Sequence, residues 1–382
     1  MQYSTHIGRF IAEHDNWKEV LSGEPYNLKI SVDQGYVLFK YDMRNADFSY
    51  PIVREARGII FKLSEWEYPV CHPFNKFFNY GETFSNDVDW NTAVVTEKID
   101  GSLMKLWFDD NTWHLSTNGS IDAYKAFFND GDITFGELFE KALSFNGITF
   151  IELTSGLDRS CTYMFELISP LSRIVIPYKT TDIYYLGFRN KWTDKEYPFF
   201  YQSHNTGIPK NIKTPKVYKM NTLSQVLSAS AELPWDEEGY VVCDKLCNRV
   251  KIKSPQYVLA HYHLTNKAVS FKNFIQIVVR GEVEEFKRYA APDTLVTLNR
   301  AIEMVNRFSS ECKEAREVVL ELRGKDRSYI ASVIEGYPAN MKPFMYLNIE
   351  NDFSFEEWTS SWEIGKWMKF LGRYIDEDSA NR

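Results

Sequence analysis

The stretch Lys98-Ile-Asp-Gly-Ser102 reads most directly as chemistry. A lysine that attacks a phosphate must present a neutral amine, whereas a free lysine has a pKa of ~10.4. Nearby positive charge, from other lysines or a bound metal, disfavours the ammonium form and prepares such a nucleophile. Gly101, directly after Asp100, lets the backbone approach a ligand closely in a tight turn. Alone, the four-residue pattern would arise by chance in roughly one chain in twenty of this length, so its meaning depends on its company.

That company follows in order. Glu166 sits in Tyr163-Met-Phe-Glu-Leu-Ile168, a strand that points its carboxylate away from its apolar neighbours. Glu238 and Gly239 open Glu238-Gly-Tyr-Val-Val242, a strand that begins with an acid. Lys251-Ile-Lys253 places two lysines at i and i+2, hence on one face of a strand. A lysine, two carboxylates and a lysine pair suit nucleotidyl transfer. The acids hold Mg²⁺ or a ribose, and the lysines neutralise phosphate charge in the transition state.

These residues need elements to position them. Tyr36–Tyr41 and Arg57–Lys62 are short β-branched and aromatic runs bounded by turn residues. Ala93–Thr96 runs into the Lys98 motif, Leu103–Phe108 resumes a strand, and Asp109-Asp-Asn111 reads as a hairpin turn. Phe135, Leu138, Phe139, Ala142 and Leu143 recur at helical spacing between Thr134 and Asn146, with Gly147 as a stop. Further strands are expected at Tyr163–Ile168, Asp182–Phe188, Gly239–Cys243 and Arg249–Ile252, the last two flanking a hairpin loop at Asp244–Asn248. After Ser254 helical periodicity takes over. Asp293 is placed to cap a helix whose stripe runs Leu295, Leu298, Ile302, Val305, Phe308, Cys312, Ala315, Val319. An aromatic-rich helix is expected around Trp358–Tyr374.

The chain has 382 residues, which suits two domains, and its 44% hydrophobic and 25% charged content is that of a globular protein. A net charge of −8 argues against nonspecific coating of nucleic acid and leaves room for one local basic cleft. Cys71, Cys161, Cys243, Cys247 and Cys312 lack the spacing of a disulfide framework, which points to a reducing compartment. No signal peptide or 18-residue apolar run is visible. The expectation is a cytoplasmic, monomeric protein without a membrane partner.

Within the covalent nucleotidyltransferase superfamily, the chain resembles the T4-type RNA ligase 1 family of bacteriophages. The resemblance is carried by Glu55-Ala-Arg-Gly-Ile-Ile-Phe61, His72-Pro-Phe-Asn-Lys-Phe-Phe-Asn79, Lys98–Ser102, Tyr163–Pro170 with Arg173-Ile-Val175, Glu238–Val242 and Arg249–Ser254. It implies that Lys98 attacks the α-phosphate of ATP and becomes lysyl–AMP, with Asp100 and Gly101 in the same motif. It implies that Arg57 and Lys76 contact the triphosphate, and that Glu166 and Glu238 serve the ribose or a Mg²⁺ ion (Mn²⁺ as a substitute). Gly239 belongs to the same nucleotide-binding set, and Lys251 and Lys253 bracket the α-phosphate. Tyr41, Phe78 and Arg189 stand where the family has nucleotide contacts. AMP then passes to an RNA 5′-phosphate, and a 3′-hydroxyl displaces it; tRNA is the implied substrate. One position departs: where a basic residue is expected, the chain has Asn118 in Leu115-Ser-Thr-Asn-Gly-Ser-Ile121.

Plainer readings hold elsewhere. His261 and His263 lack a third ligand, Cys243 and Cys247 lack zinc spacing, and Lys272, Lys287 and Arg288 are interleaved with glutamates. The fold expected is α+β: a nucleotidyltransferase domain of two packed antiparallel sheets with helices over residues 1–260, then an all-α domain over 261–382. A DNA ligase, a GTP-using capping enzyme and a non-catalytic RNA-binding protein are the alternatives. An intact Lys98, Asp100, Glu166, Glu238, Lys251 and Lys253 argues against the last.

Overall fold

The structure, a computed structural model, describes residues 3–128, 131–172, 174–201, 206–261, 271–287, 290 and 292–380. Arg173, His263 and Arg288 lie outside the described residues. The chain divides into two compact units, residues 1–265 and 266–382.

The first unit holds helices α1 (His6–Glu13) and α2 (Trp17–Ser22), strands β1 (Leu28–Asp33) and β2 (Tyr36–Tyr41), helix α3 (Pro51–Glu55) and strand β3 (Arg57–Lys62). It continues through β4 (Phe78–Asn79), β5 (Val94–Glu97), β6 (Ser102–Asp109), β7 (Thr112–Thr117), α4 (Phe135–Phe145) and α5 (Phe150–Ser155). Then follow β8 (Cys161–Ile168), β9 (Asp182–Asn190), β10 (Glu196–Pro198), β11 (Val217–Tyr218), α6 (Leu223–Glu232), β12 (Gly239–Cys243), β13 (Arg249–Lys253) and α7 (Pro255–His261). These strands form three sheets, ordered β1-β2-β3, β10-β9-β8-β6-β7 and β11-β5-β12-β13-β4. The expectation of two antiparallel sheets is therefore corrected twice. A three-stranded sheet is added, and β4 pairs with β13 in parallel. A strand as short as Phe78–Asn79 carries no alternation from which the parallel pair could be read, and alternation within Tyr36–Tyr41 and Arg57–Lys62 does not say which sheet a strand joins.

Period-two alternation assigns each face of these sheets. In the second sheet Met104, Leu106, Tyr163, Phe165, Leu167 and Tyr185 pack against α4 and α5. The opposite face presents Leu103 and Met164 to Phe74, Phe77 and Leu186. In the third sheet Val95, Tyr240, Val242, Val250 and Ile252 pack with Val226 of α6. The first sheet covers α1 to α3 with one face, and joins Trp107 of β6 through Leu38, Ile60 and Cys71 with the other. Asp110 and Asn111 take positive φ in the β6–β7 turn, as a two-residue hairpin requires.

The second unit is helical: α8 (Phe271–Val279), α9 (Val283–Lys287), α10 (Pro292–Glu321), α11 (Arg327–Glu335), α12 (Lys342–Leu347), α13 (Phe355–Thr359) and α14 (Ile364–Ala380). The stripe of α10 is buried at Leu298, Val305, Phe308, Cys312, Ala315 and Val319. Phe308 meets Phe355 at 5.4 Å and Tyr374 at 5.9 Å between ring centroids. Two expectations are corrected here. The helix begins at Pro292, so Asp293 lies inside its first turn. The single aromatic helix over Trp358–Tyr374 is two helices, α13 and α14, and α13 opens on a capping box between Ser354 and Glu357. No helix among the described residues is long and apolar enough to cross a membrane.

Candidate nucleotidyl-transfer site

The Lys98 motif links two sheets. β5 belongs to the third sheet and β6 to the second, so residues 98–101 cross between them at the head of a cleft. The Lys98 amide donates to the Gly239 carbonyl at 2.9 Å, which ties the crossing to β12. Two glycines make the approach possible. A Cβ on Gly101 would stand 2.5 Å from the Leu167 carbonyl oxygen. A Cβ on Gly239, at φ +138°, would stand 2.2 Å from that of Ile252.

Asp100 supports this crossing. Its carboxylate accepts from the amides of Val175 (3.0 Å) and Ile176 (2.9 Å) and from the Tyr257 hydroxyl (2.8 Å). It is buried and pointed into the protein frame, so it holds the 174–178 segment and α7 against the motif.

The cleft has about 770 Å³ of space counted with its open mouth, and Arg57, Phe77, Lys98, Glu166, Arg249 and Lys251 are on its walls. Alternation explains the polar members. Glu166 shares the face of Met164, and Lys251 lies opposite the buried Val250 and Ile252. Lys98 Nζ donates to Glu238 Oε2 at 2.7 Å, and Lys253 Nζ stands 3.5 Å from Glu238 Oε1. Burial pushes the Glu166 carboxyl up to about 7, against the opposing pull of Lys98. Arg57 lies over Phe74 and Phe77, 4.5 and 5.0 Å from the ring centroids, and burial lowers its pKa.

Three expected nucleotide contacts gather elsewhere. Lys76 Nζ stands 5.1 Å from the Tyr41 ring, 5.1 Å from Phe48 and 5.4 Å from Phe78. This aromatic cage lies outside the cleft lining, and Lys76 and Arg189 line a neighbouring cavity instead. Arg189 belongs to a polar chain, buried except at Asp194, that the sequence did not announce. Its guanidinium donates to Glu196 at 2.9 Å and to His72 Nε2 at 2.7 Å, His72 Nδ1 stands 3.0 Å from Asp194, and Arg249 pairs with Glu196. Burial and Arg189 push the His72 imidazole down to about 4, so it is neutral and carries its proton on Nδ1, toward Asp194. Glu55 accepts from the amides of His6 and Ile7 at 3.2 and 2.9 Å, which makes it a cap for α1.

Asn118 has a cation close by after all. Lys105, fully buried, donates to the Gly58 carbonyl, and a Cβ on Gly58 would meet Lys105 Nζ at 2.7 Å and Asn118 Oδ1 at 3.1 Å. Burial pulls the Lys105 amine down to about 8. His261 closes α7, and Lys287 pairs with Glu284 at 2.9 Å on an exposed face. Among the described residues no group of three or more His, Cys, Asp or Glu side chains could hold a metal.

The family model described as RNA ligase, of the T4 ligase 1 type, matches residues 55–257. The chain is 31% identical over 299 residues to a putative bifunctional polynucleotide kinase/RNA ligase of Autographa californica nuclear polyhedrosis virus, covering 74% of this chain and 41% of that protein. It thus spans less than half the length of this relative. It is 23% identical over 339 residues to an RNA ligase of Rhodothermus phage RM378, covering 74% of this chain and 76% of that one. An archaeal ATP-dependent RNA ligase superposes over 79% of this chain and 82% of its own, with a TM-score of 0.43 and 13% identity. The family match spans more than half of the 382 residues and every element that builds the cleft from Arg57 to Lys253, and on that ground the chain belongs to the RNA ligase family.

Proposed function

We propose that this chain is an ATP-dependent RNA ligase that works through lysyl–AMP on Lys98. The observation that carries the reading is the cleft itself, where Lys98 shares walls with Arg57, Glu166, Arg249 and Lys251. Lys98 Nζ attacks the α-phosphorus of ATP, a P–N bond forms, the bond to the β-phosphate oxygen breaks, and pyrophosphate leaves. Of the two protons the ammonium must shed, the first passes to Glu238 Oε2, already in hydrogen-bond contact, and the second leaves with pyrophosphate. Lys251 and Arg57 face the charge that builds on the phosphates.

An RNA 5′-phosphate oxygen next attacks the same phosphorus, the P–N bond breaks, and Nζ takes back a proton. A 3′-hydroxyl then attacks the RNA 5′-phosphorus, its proton is lost to solvent, and AMP leaves.

The carboxylates fit a hard divalent cation. Glu166 on the cleft wall and Glu238 against Lys98 Nζ supply oxygen donors, and a cation there would favour the ionised form that burial disfavours in Glu166. Mg²⁺ bound through them and the substrate phosphates, with Mn²⁺ as a substitute, would neutralise phosphate charge. By analogy with the family the RNA is a tRNA broken in its anticodon loop, and the helical unit supplies the preference. The chain acts as a monomer.

The test is ligation: a 5′-labelled RNA with a free 3′-hydroxyl, incubated with protein, ATP and Mg²⁺. Conversion of the label to a phosphatase-resistant, joined product is expected. A product with DNA ends and none with RNA would move the reading to a DNA ligase.

A further inference from the structure

We propose that the cavity beside the Lys98 cleft receives the 5′-phosphate end of the polynucleotide, an inference that rests on the ligase reading above. The cavity encloses about 960 Å³ counted with its mouth, and its walls include Asn75, Lys76, Arg189, Lys195, Lys245 and Arg249. Phe77 and Arg249 also line the cleft, so the two spaces share a wall. A phosphate that must attack the adenylate on Lys98 needs a seat next to that adenylate, and this cavity offers one.

Its charge suits an anion. Five cations, Lys76, Arg189, Lys195, Lys245 and Arg249, face two carboxylates, Asp194 and Glu196, in a chain whose net charge is −8. Both carboxylates are committed: Asp194 to His72 and Arg189, Glu196 to Arg189 and Arg249. Among the described residues, Lys76, Lys195 and Lys245 have no carboxylate within 4.0 Å. The excess is therefore a local field in a concave site, where phosphate charge is concentrated.

The turn between β9 and β10 adds a second feature. It carries Lys195 into the cavity and, three residues earlier, exposes Trp192 at 55% of its surface. Lys191 Nζ stands 5.2 Å from the Trp192 ring, and Tyr68 packs against that ring edge-on at 5.0 Å. An exposed indole in the turn that also supplies a cavity lysine is a face on which an unpaired base stacks. The phosphate seat and the ring together describe a single-stranded end.

The same phosphate chemistry could come from the triphosphate tail of ATP, and the experiment separates the two sources. The full-length protein carrying Lys195→Ala and Lys245→Ala, both exposed positions, is compared with wild type in two assays. One measures the KM for ATP in self-adenylylation. The other measures single-turnover AMP transfer from pre-adenylylated protein to a 5′-phosphorylated oligoribonucleotide across a salt series. The KM for ATP is expected to stay within about twofold, while the half-saturating RNA concentration rises by about fivefold or more. The slope of log affinity against log salt should fall by about 1.4, at ~0.7 per single-strand phosphate contact. Lys195→Arg with Lys245→Arg should restore both.

A raised KM for ATP with RNA transfer unchanged would assign the cavity to the triphosphate tail and overturn the proposal. So would two unchanged assays, which would leave a solvent-filled cavity. Wild-type protein that takes no AMP from ATP would overturn the ligase reading first, and this assignment with it.

Discussion

Glu166 sits where burial and ligand charge pull in opposite directions, so its titration reports on both. Its folded pKa is about 7, above the ordinary carboxyl value. The native state therefore binds more protons than the unfolded chain between roughly pH 4.5 and 7. The stability this group contributes is fully present below the unfolded value and is lost as pH rises through 7. Glu166→Gln cannot ionise, so its loss of Tm between pH 5 and pH 8 should be smaller than that of wild type. A thermal melt at the two pH values measures this, and an identical loss would place the buried proton elsewhere. Self-adenylylation should fall in the same variant, because the cleft loses an oxygen donor of full charge. Glu166 and Lys251 were legible in the sequence because each interrupts apolar neighbours that fill the core, and Lys98 because it opens the Lys98–Gly101 motif in their company. The chain of His72, Arg189, Asp194, Glu196 and Arg249 was not, since a hydrogen bond across 117 residues leaves no periodic mark.

At the scale of elements, the cleft depends on how firmly the crossing at 98–101 is tied down. Asp100 is the tie, with three hydrogen bonds to two other segments. Asp100→Ala leaves a buried amide, a half-buried amide and a buried hydroxyl without their acceptor, at a cost of about 1–3 kcal/mol for each group left unsatisfied in the interior. Tyr257→Phe removes a single bond and should cost about 1 kcal/mol. Denaturant midpoints at unchanged m-value measure both, and equal costs would mean that Asp100 does not anchor 174–178. The strands at Tyr36–Tyr41, Arg57–Lys62 and Gly239–Cys243 follow from alternation and turn residues, and the structure has them at those bounds. The break between α13 and α14 was missed because the aromatic spacing runs on across it. The Ser354 and Glu357 pair marks where α13 begins and says nothing of where it ends.

At the scale of the molecule, all of the cleft's described walls come from the first unit. The described hydrophobic clusters of that unit draw their residues from Ile7 to Ile252. A chain ending at residue 265 should therefore fold and adenylylate itself, while acting less well on a tRNA broken in its anticodon loop. A folded truncation that cannot form the adenylate would assign part of the nucleotide site to the helical unit. The most direct test of the account as a whole is simpler. The purified protein, first stripped of any AMP already attached, is incubated with Mg²⁺ and ATP labelled at the α-phosphate, then denatured. Label should remain bound to wild-type protein, be released as AMP by acid cleavage of a phosphoramidate, and be absent from Lys98→Ala. Label that persists in Lys98→Ala, or arises from GTP and not ATP, would contradict the central claim that Lys98 is the nucleophile of an ATP-dependent ligase.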